Sequence, residues 1–198
     1  VSDPLIDAEG DDAATPLTPE EREALIPTYI TLRGELNEVE QIGIADADRW
    51  AFDRRRGNVL DEDFLRQLHK RMFGDVWKWA GQFRTTPRNI GVEAWEIRPQ
   101  LRQLLDDVLY WVEHQTYAPD EIAVRFHHRL VWIHPFPNGN GRHSRLAADL
   151  LAVKLGQQRF TWGSGNLVAI AELRKRYVDA LRAADGHDVG PLITFTRS

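Results

Sequence analysis

"HHRLVWIHPFPNGNGRHSRLAADLLAVKLG", residues 127–156, decides how this chain is read. Leu130, Val131 and Ile133 close one apolar helical run, and Leu146, Leu150, Leu151 and Leu155 line a second. Between them, two prolines and a Gly-Asn-Gly step interrupt the helical period. Gly139 and Gly141 flank Asn140, a spacing that lets successive backbone N–H groups point into one concavity. Such a nest, leading into a helix N-terminus, binds phosphate well because unpaired donors and the positive end of the helix dipole coincide there. The plainer alternative is a loop that only turns the chain between two helices.

The charged residues around the loop favour the first reading. A cation in the first turn of a helix opposes the dipole, yet Arg142 stands there and Arg145 follows one turn on, on the same side. A polyphosphate in the nest turns that cost into a gain, because guanidinium forks pair bidentately with phosphate oxygens. His134 precedes the loop, and an imidazole accepts a hydroxyl proton near neutral pH. It is the candidate general base for an attacking Ser, Thr or Tyr hydroxyl.

Outward from the loop, the periodicity is helical almost throughout. Residues 119–133, opened by "PDE", and 141–155, closed by Gly156, bracket the loop, and 99–115 precedes them. "LDEDFLRQLHKRMFG" carries Asp61 as an N-cap, Phe64, Leu65, Leu68 and Met72 on one face, and Gly74 as a stop. "NLVAIAELRKRYVDALRAAD" and a short run after Pro191 complete the C-terminal side. On the N-terminal side a helix begins at "TPEE", with Thr18 capping, Pro19 in the first turn and Glu21 closing a capping box. Pro27 interrupts it. "TYITLRGELNEVEQIGI" then resumes, and "ADADRWAFDRRRG" forms a further helical stretch ending at Gly57. "WAGQFRTTPRNIGVEAWEIRP" breaks the texture with aromatics, threonines and an Arg-Asn tip, which predicts a short β-hairpin flap. The expected fold is mainly all-α with that one flap, as a single domain over residues 18–198 behind a flexible acidic tail, residues 1–17.

Bulk properties remove several classes of function. The chain has 198 residues, 42% apolar and 28% charged, the balance of a globular domain with a core of its own. A net charge of −5 gives no global field toward nucleic acid. No apolar run is long enough to span a bilayer, and the first residues, VSDPLIDAEGDD, are the opposite of a signal peptide. With no cysteine there is neither a disulfide framework nor a thiolate metal site. The expected setting is cytoplasmic, without nucleic-acid or membrane partners.

"HPFPNGNGRHSR" (134–145) resembles the signature of Fic-domain proteins, His-Pro-Phe-x-acid-Gly-Asn-Gly-Arg-x-x-Arg, and departs from it at one position. The resemblance extends over residues 19–196 and is similar, within the family, to the bacterial subgroup labelled mobile mystery protein B. It implies a Fic-type helical bundle with a hairpin flap and transfer of AMP from ATP to a hydroxyl of a target protein. Matched position by position, it makes His134 the base and Phe136 the residue that anchors the loop in the core. Gly139, Asn140 and Gly141 become the anion hole, and Arg142 and Arg145 the phosphate ligands. The usually acidic magnesium ligand is here Asn138. An amide oxygen can ligate Mg²⁺ but brings no charge, so the metal site is expected to be weak. That predicts slow transfer, a different donor, or a second metal ligand from elsewhere.

Many members of the family are held off by a helix bearing Ser/Thr-x-x-x-Glu-Gly/Asn, whose Glu pairs with the second signature arginine. "TLRGELN" (31–37), within a candidate inhibitory helix over about 28–42, resembles it through Thr31 and Glu35, with Leu36 where Gly or Asn is expected. Glu35 is either that inhibitory acid, paired with Arg145, or one of several solvated acids beside Glu38 and Glu40. The flap, roughly residues 85–96, either aligns a target segment by strand addition or merely covers the core. Tyr177 either walls an adenine pocket, as the resemblance implies, or packs in the core with Leu173 and Leu181. His127 and His128, adjacent on a helix, point about 100° apart and cannot both face one ion. With His143 they read as core or surface residues. The seven tryptophans are too scattered for a base-stacking platform.

The leading function is therefore an autoinhibited protein adenylyltransferase, with ATP as co-substrate, Mg²⁺ as the cofactor and an unidentified target protein on the flap. The subgroup resemblance adds a small separately encoded regulatory partner. Alternatives on the same fold are transfer of phosphate, another nucleotide or phosphocholine, removal of AMP from a modified protein, and nucleotide binding without turnover.

Overall fold

The computed structural model describes residues 22–30, 33–53, 57–165 and 169–198. The capping box at Thr18–Glu21, Thr31 and the acidic tail lie outside the described residues. Seven α-helices are described: α1 (Arg33–Ala51), α2 (Glu62–Phe73), α3 (Ile97–Glu113), α4 (Pro119–Ile133), α5 (Asn140–Lys154), α6 (Ile170–Asp185) and α7 (Gly190–Thr196), with a 3-10 turn at Ala94–Glu96. The chain is mainly α-helical, as its periodicity predicts.

Local signals fix most of these boundaries. Asp61 caps α2 by accepting from the Phe64 N–H at 2.9 Å, and the Gly74 N–H closes its far end on the Lys70 carbonyl at 2.7 Å. Pro119 opens α4, with Asp120 and Glu121 in the first turn where the dipole favours them. The α2 stripe Phe64, Leu65, Leu68 and Met72 is buried as its spacing requires. Two expectations need correction. Residues 33–51 form one continuous helix, because nothing between "IGI" and "ADAD" removes a backbone donor or forces a turn. Its start is later than residue 28, since Pro27 heads a turn in which the Ile30 N–H reaches the Pro27 carbonyl at 3.4 Å.

The hairpin also takes a different form. Among the described residues the one isolated β-bridge joins Leu25 to Trp77, and residues 85–93 form no ladder. Between the two expected strand pieces, Pro87 lacks a donor and Gly91 adopts φ +95°, so the connecting segment closes no two-stranded ladder. The flap is a loop tied at both stems instead. The Arg84 N–H donates to the Pro135 carbonyl at 2.9 Å, and the Val92 N–H donates to the Ile133 carbonyl at 3.4 Å.

α4 and α5 pack together as the centre of the bundle. α1 and α2 pair against α5 through α2, α3 packs on α4, and α6 with α7 covers the opposite side of α4. The core runs through Leu68, Met72 and Phe73 of α2, Leu101 and Val108 of α3, Phe126 and Ile133 of α4, and Ala147, Ala148 and Leu151 of α5. No helix among the described residues is long and apolar enough to cross a membrane. The packing sets the 134–139 loop at the meeting point of α2, α4, α5 and the flap stems.

Candidate functional site

His134 is the C-cap of α4 and adopts the left-handed conformation (φ 54°, ψ 59°), where the helix ends before Pro135. Its side chain is buried, and that burial, aided by the Arg84 guanidinium and opposed by the Val131 backbone, lowers its pKa to about 4. The imidazole is therefore neutral at physiological pH, the form that accepts a proton. Two neighbours from the flap fix its backbone. The buried Arg84 donates from Nε to the His134 carbonyl at 2.7 Å, and its Nη2 also reaches the carbonyls of Val92 and Ile133. Gly91 packs so closely that a Cβ there would lie 2.5 Å from the His134 Cβ.

The loop is pinned from within and from outside. Asn140 accepts from the Phe136 N–H at 2.9 Å and donates to the Phe136 carbonyl at 2.8 Å. Phe136 is fully buried and stacks on the His69 ring at 3.7 Å. His69 accepts from the Gly81 N–H at 3.0 Å on Nδ1, so its Nε2–H donates to the Asn138 carbonyl at 3.1 Å. Burial and the neighbouring His143 hold the His69 pKa well below the ordinary value, so this neutral tautomer persists. His143 is itself buried, its pKa lowered to about 4 by burial, and it bonds the Leu65 carbonyl at 2.9 Å.

The Gly-Asn-Gly step opens α5. Gly139 is the N-cap of α5 at φ +77°, and a Cβ there would strike the Phe73 ring at 2.6 Å, so only glycine fits. The first helical bond runs from the His143 N–H to the Gly139 carbonyl at 2.9 Å, leaving the amides of residues 140–142 without intrahelical acceptors. The Gly139 N–H is already taken, donating to Asn138 Oδ1 at 2.6 Å. The side-chain oxygen expected to meet a metal is thus engaged by the loop itself.

The two signature arginines do not converge in this state. Arg142 pairs with Glu40 Oε2 at 2.5 Å and lies over the Phe73 ring. Glu40 is buried on α1, and its second oxygen accepts from Trp77 Nε1 at 2.7 Å. Arg145 turns the other way. Its Nε donates to the Gly141 carbonyl at 3.2 Å and its guanidinium lies 5.6 Å from the centre of the Tyr177 ring. No carboxylate pairs with Arg145 among the described residues. Glu35 is exposed on α1, on a different face from the buried Glu40. The reason is helical geometry: Glu35 and Glu40 are five residues apart, about 140° around the helix, so only one can face α5. The ion pair that α1 makes with a signature arginine is Glu40–Arg142.

Tyr177 sits beside this end of α5, its hydroxyl 3.0 Å from His127 Nε2 and about one side-chain contact from Gly141, whose Cβ would lie 4.0 Å away. Burial pushes its pKa up to about 12, while burial and Arg145 lower that of His127 to about 3. His128 instead pairs with Asp185 at 2.8 Å on the surface. No cluster of three His, Asp or Glu side chains suited to a metal exists among the described residues. Asn138 alone offers one neutral oxygen, already bonded, so these residues make a poor magnesium site of their own.

Glu40, Arg84 and His69 were not singled out as site residues from the sequence. Glu40 looked like one of three acids on a solvated face, and neither Arg84 nor His69 belongs to a recognisable spacing.

The geometry is that of a helical bundle with a left-handed glycine at a helix start behind a buried histidine. The model of the Fic/DOC family matches residues 59–152. The match takes in just under half of the chain and identifies a Fic/DOC domain over those residues. The chain is 28% identical over 138 residues to the protein adenylyltransferase fic-1 of Caenorhabditis elegans, covering 67% of this chain and 26% of that relative. A solved fragment of Fic-1 from C. elegans is similar with a TM-score of 0.65 at 27% identity, covering 90% of this chain and 52% of that one. The Bartonella tribocorum effector BepC, solved with bound AMPPNP, shares the fold with a TM-score of 0.66 at 19% identity, covering 91% and 97% of the two chains. The chain thus spans little more than a quarter of the curated relative, 26% of its length.

Proposed function

We propose that this chain transfers AMP from ATP to a hydroxyl of another protein and that Glu40 restrains the reaction. The observation that carries this reading is the set of amides at residues 140–142 without intrahelical acceptors, with Arg145 unpaired with any carboxylate among the described residues, at the start of α5 behind the neutral His134. The family's curated relatives named protein adenylyltransferases support the choice of group transferred.

In the proposed reaction the target hydroxyl oxygen attacks the α-phosphorus of ATP. A new oxygen–phosphorus bond forms, the bond to the β-phosphate bridging oxygen breaks, and pyrophosphate leaves. His134 takes the hydroxyl proton. The nest amides and Arg145 stabilise the charge that grows on the phosphoryl oxygens, a role that preorganised donors perform without reorganisation. Arg142 joins them once Glu40 releases it. The target segment lies along the flap, 85–96, whose backbone is fixed against His134 by Arg84 and Gly91. Magnesium would arrive on the triphosphate, with Asn138 a weak additional ligand, and no step here depends on it.

The bonded, uncharged Asn138 favours one second reading, nucleotide binding without turnover. Incubation of the Glu40→Gln variant with ATP labelled at the α- or the γ-phosphorus separates the cases. AMP transfer labels protein from the α position only, phosphate transfer from the γ position only. Binding without either label establishes the second reading.

A further inference from the structure

Away from the nest, a cavity of about 820 Å³ runs between α2 and the stems of the flap. Five of its lining residues are cationic, Arg66, Lys70, Lys78, Arg84 and Arg98, and none is acidic. That is a local reversal in a chain of net charge −5. Arg84 is consumed by backbone carbonyls, as described above. Arg98 pairs with Glu62 at 2.7 Å, and Arg66 lies 3.8 Å from the exposed Asp63. The two lysines pair with no acid among the described residues. Among the described residues Lys78 donates to a neutral acceptor, the Glu23 carbonyl at 2.9 Å, and Lys70 has no acidic partner.

The groove also has an apolar element. Phe83 lies under two guanidinium groups, Arg66 at 5.5 Å and Arg98 at 5.3 Å from its ring centre. At the rim stands Trp95, 76% exposed, an indole left largely in water. Exposed aromatics of this size beside charged residues are enriched where proteins bind one another. Thr85, Ala94 and Trp95 belong both to the groove and to the flap that packs on His134. An occupant of the groove therefore continues along the flap toward the base.

We infer that this groove binds an acidic segment of the protein that presents the hydroxyl, with carboxylates toward Lys70 and Lys78 and an apolar side chain against Trp95. The identity of the occupant as the target rests on the transferase reading, while the charge preference stands on the groove alone. A nucleic acid fits less well. Its phosphates would need a longer basic track than one short concavity, and a single exposed indole is not a stacking platform. Charge complementarity of this kind adds mainly to association rate and selectivity, and salt weakens it.

Fluorescence anisotropy with a labelled peptide of glutamate, leucine and one tyrosine tests this directly. A lysine counterpart and a single-stranded oligonucleotide serve as controls. The acidic peptide is expected to bind saturably, and to weaken by about tenfold or more in the Lys70→Glu/Lys78→Glu variant and in raised salt. Trp95→Ala weakens binding without abolishing the salt dependence, and ATP affinity is unchanged in all three proteins. With ATP and the Glu40→Gln background, labelling of the peptide falls with the lysine reversal while self-labelling does not. No binding of the acidic peptide, equal binding by the reversed variant, or tighter binding of the oligonucleotide overturns the inference. If no protein or peptide is labelled at all, the transferase reading fails while the anisotropy result still judges the groove.

Discussion

Glu40 of α1 holds Arg142 of α5 across the bundle at 2.5 Å, with Trp77 donating to the other carboxylate oxygen. The carboxylate is almost fully buried and the guanidinium about three-quarters so, with 27% of its side chain exposed. Removing one partner of such a pair leaves the other charge poorly compensated. Glu40→Gln keeps the Trp77 bond and loses the ionic one, and is expected to destabilise the protein by about 1–3 kcal/mol in urea unfolding. Because Arg142 is then open to phosphate, ATP should restore more stability to the variant than to wild type. Equal ATP-induced shifts in melting temperature would show that the pair is structural only.

Asn138 spends its side-chain oxygen on the Gly139 N–H. Asn138→Asp keeps an acceptor there and adds the charge that a magnesium ion needs. Transfer by the Asp variant should rise by about tenfold or more in magnesium and remain near wild type when the metal is chelated. If the two proteins respond identically to magnesium, the weakness of the site has another origin.

Four histidines, 69, 127, 134 and 143, have pKa values lowered chiefly by burial. Each binds a proton in the unfolded chain near pH 6.5 and refuses it in the fold until the pH is much lower. Their contribution to stability is complete above about pH 6.5 and is lost as pH falls below it, by up to about 1.4 kcal/mol per pH unit for each histidine. Urea unfolding at pH 7 and pH 5 should show the loss, with net proton uptake on unfolding at the lower pH. For the same reason transfer should show no acidic limb near pH 6.5 in the range where the protein remains folded, since His134 stays neutral to about 4. A limb at 6.5 would mean that His134 titrates as an exposed imidazole.

His69 and Arg84 hold the carbonyls at the two ends of the loop, Asn138 and His134. Both are positioning residues. His69→Ala opens a gap beside Phe136 and strands two backbone groups, a loss of about 2–4 kcal/mol. His69→Gln, which can offer both a donor and an acceptor, should recover part of it. In either position the expected kinetic signature is a fall in kcat with little change in KM for ATP, since the nest amides are untouched. A change confined to KM would place these residues in nucleotide binding.

How much of this was legible in the chain depends on the distance over which each signal acts. The α2 stripe, its Asp61 cap, the Pro119 start and the Gly139 turn are local chemistry, and the structure places each where the spacing implies. The flap misled because alternating aromatics and threonines resemble a strand, while its real support is one buried arginine reaching four carbonyls. Glu40 was equally invisible. On α1 it is one acid among several, and only the packing of α1 on α2 and of α2 on α5 tells which acid faces Arg142. Long-range pairing of this sort leaves no periodic trace.

The most direct measurement is calorimetric titration of ATP into wild type, Glu40→Gln and Glu40→Gln/Arg145→Ala. The account predicts weak binding to the first, at least about tenfold tighter binding to the second, and loss of that gain in the third. No detectable heat with Glu40→Gln, or affinity indifferent to Arg145, would contradict it.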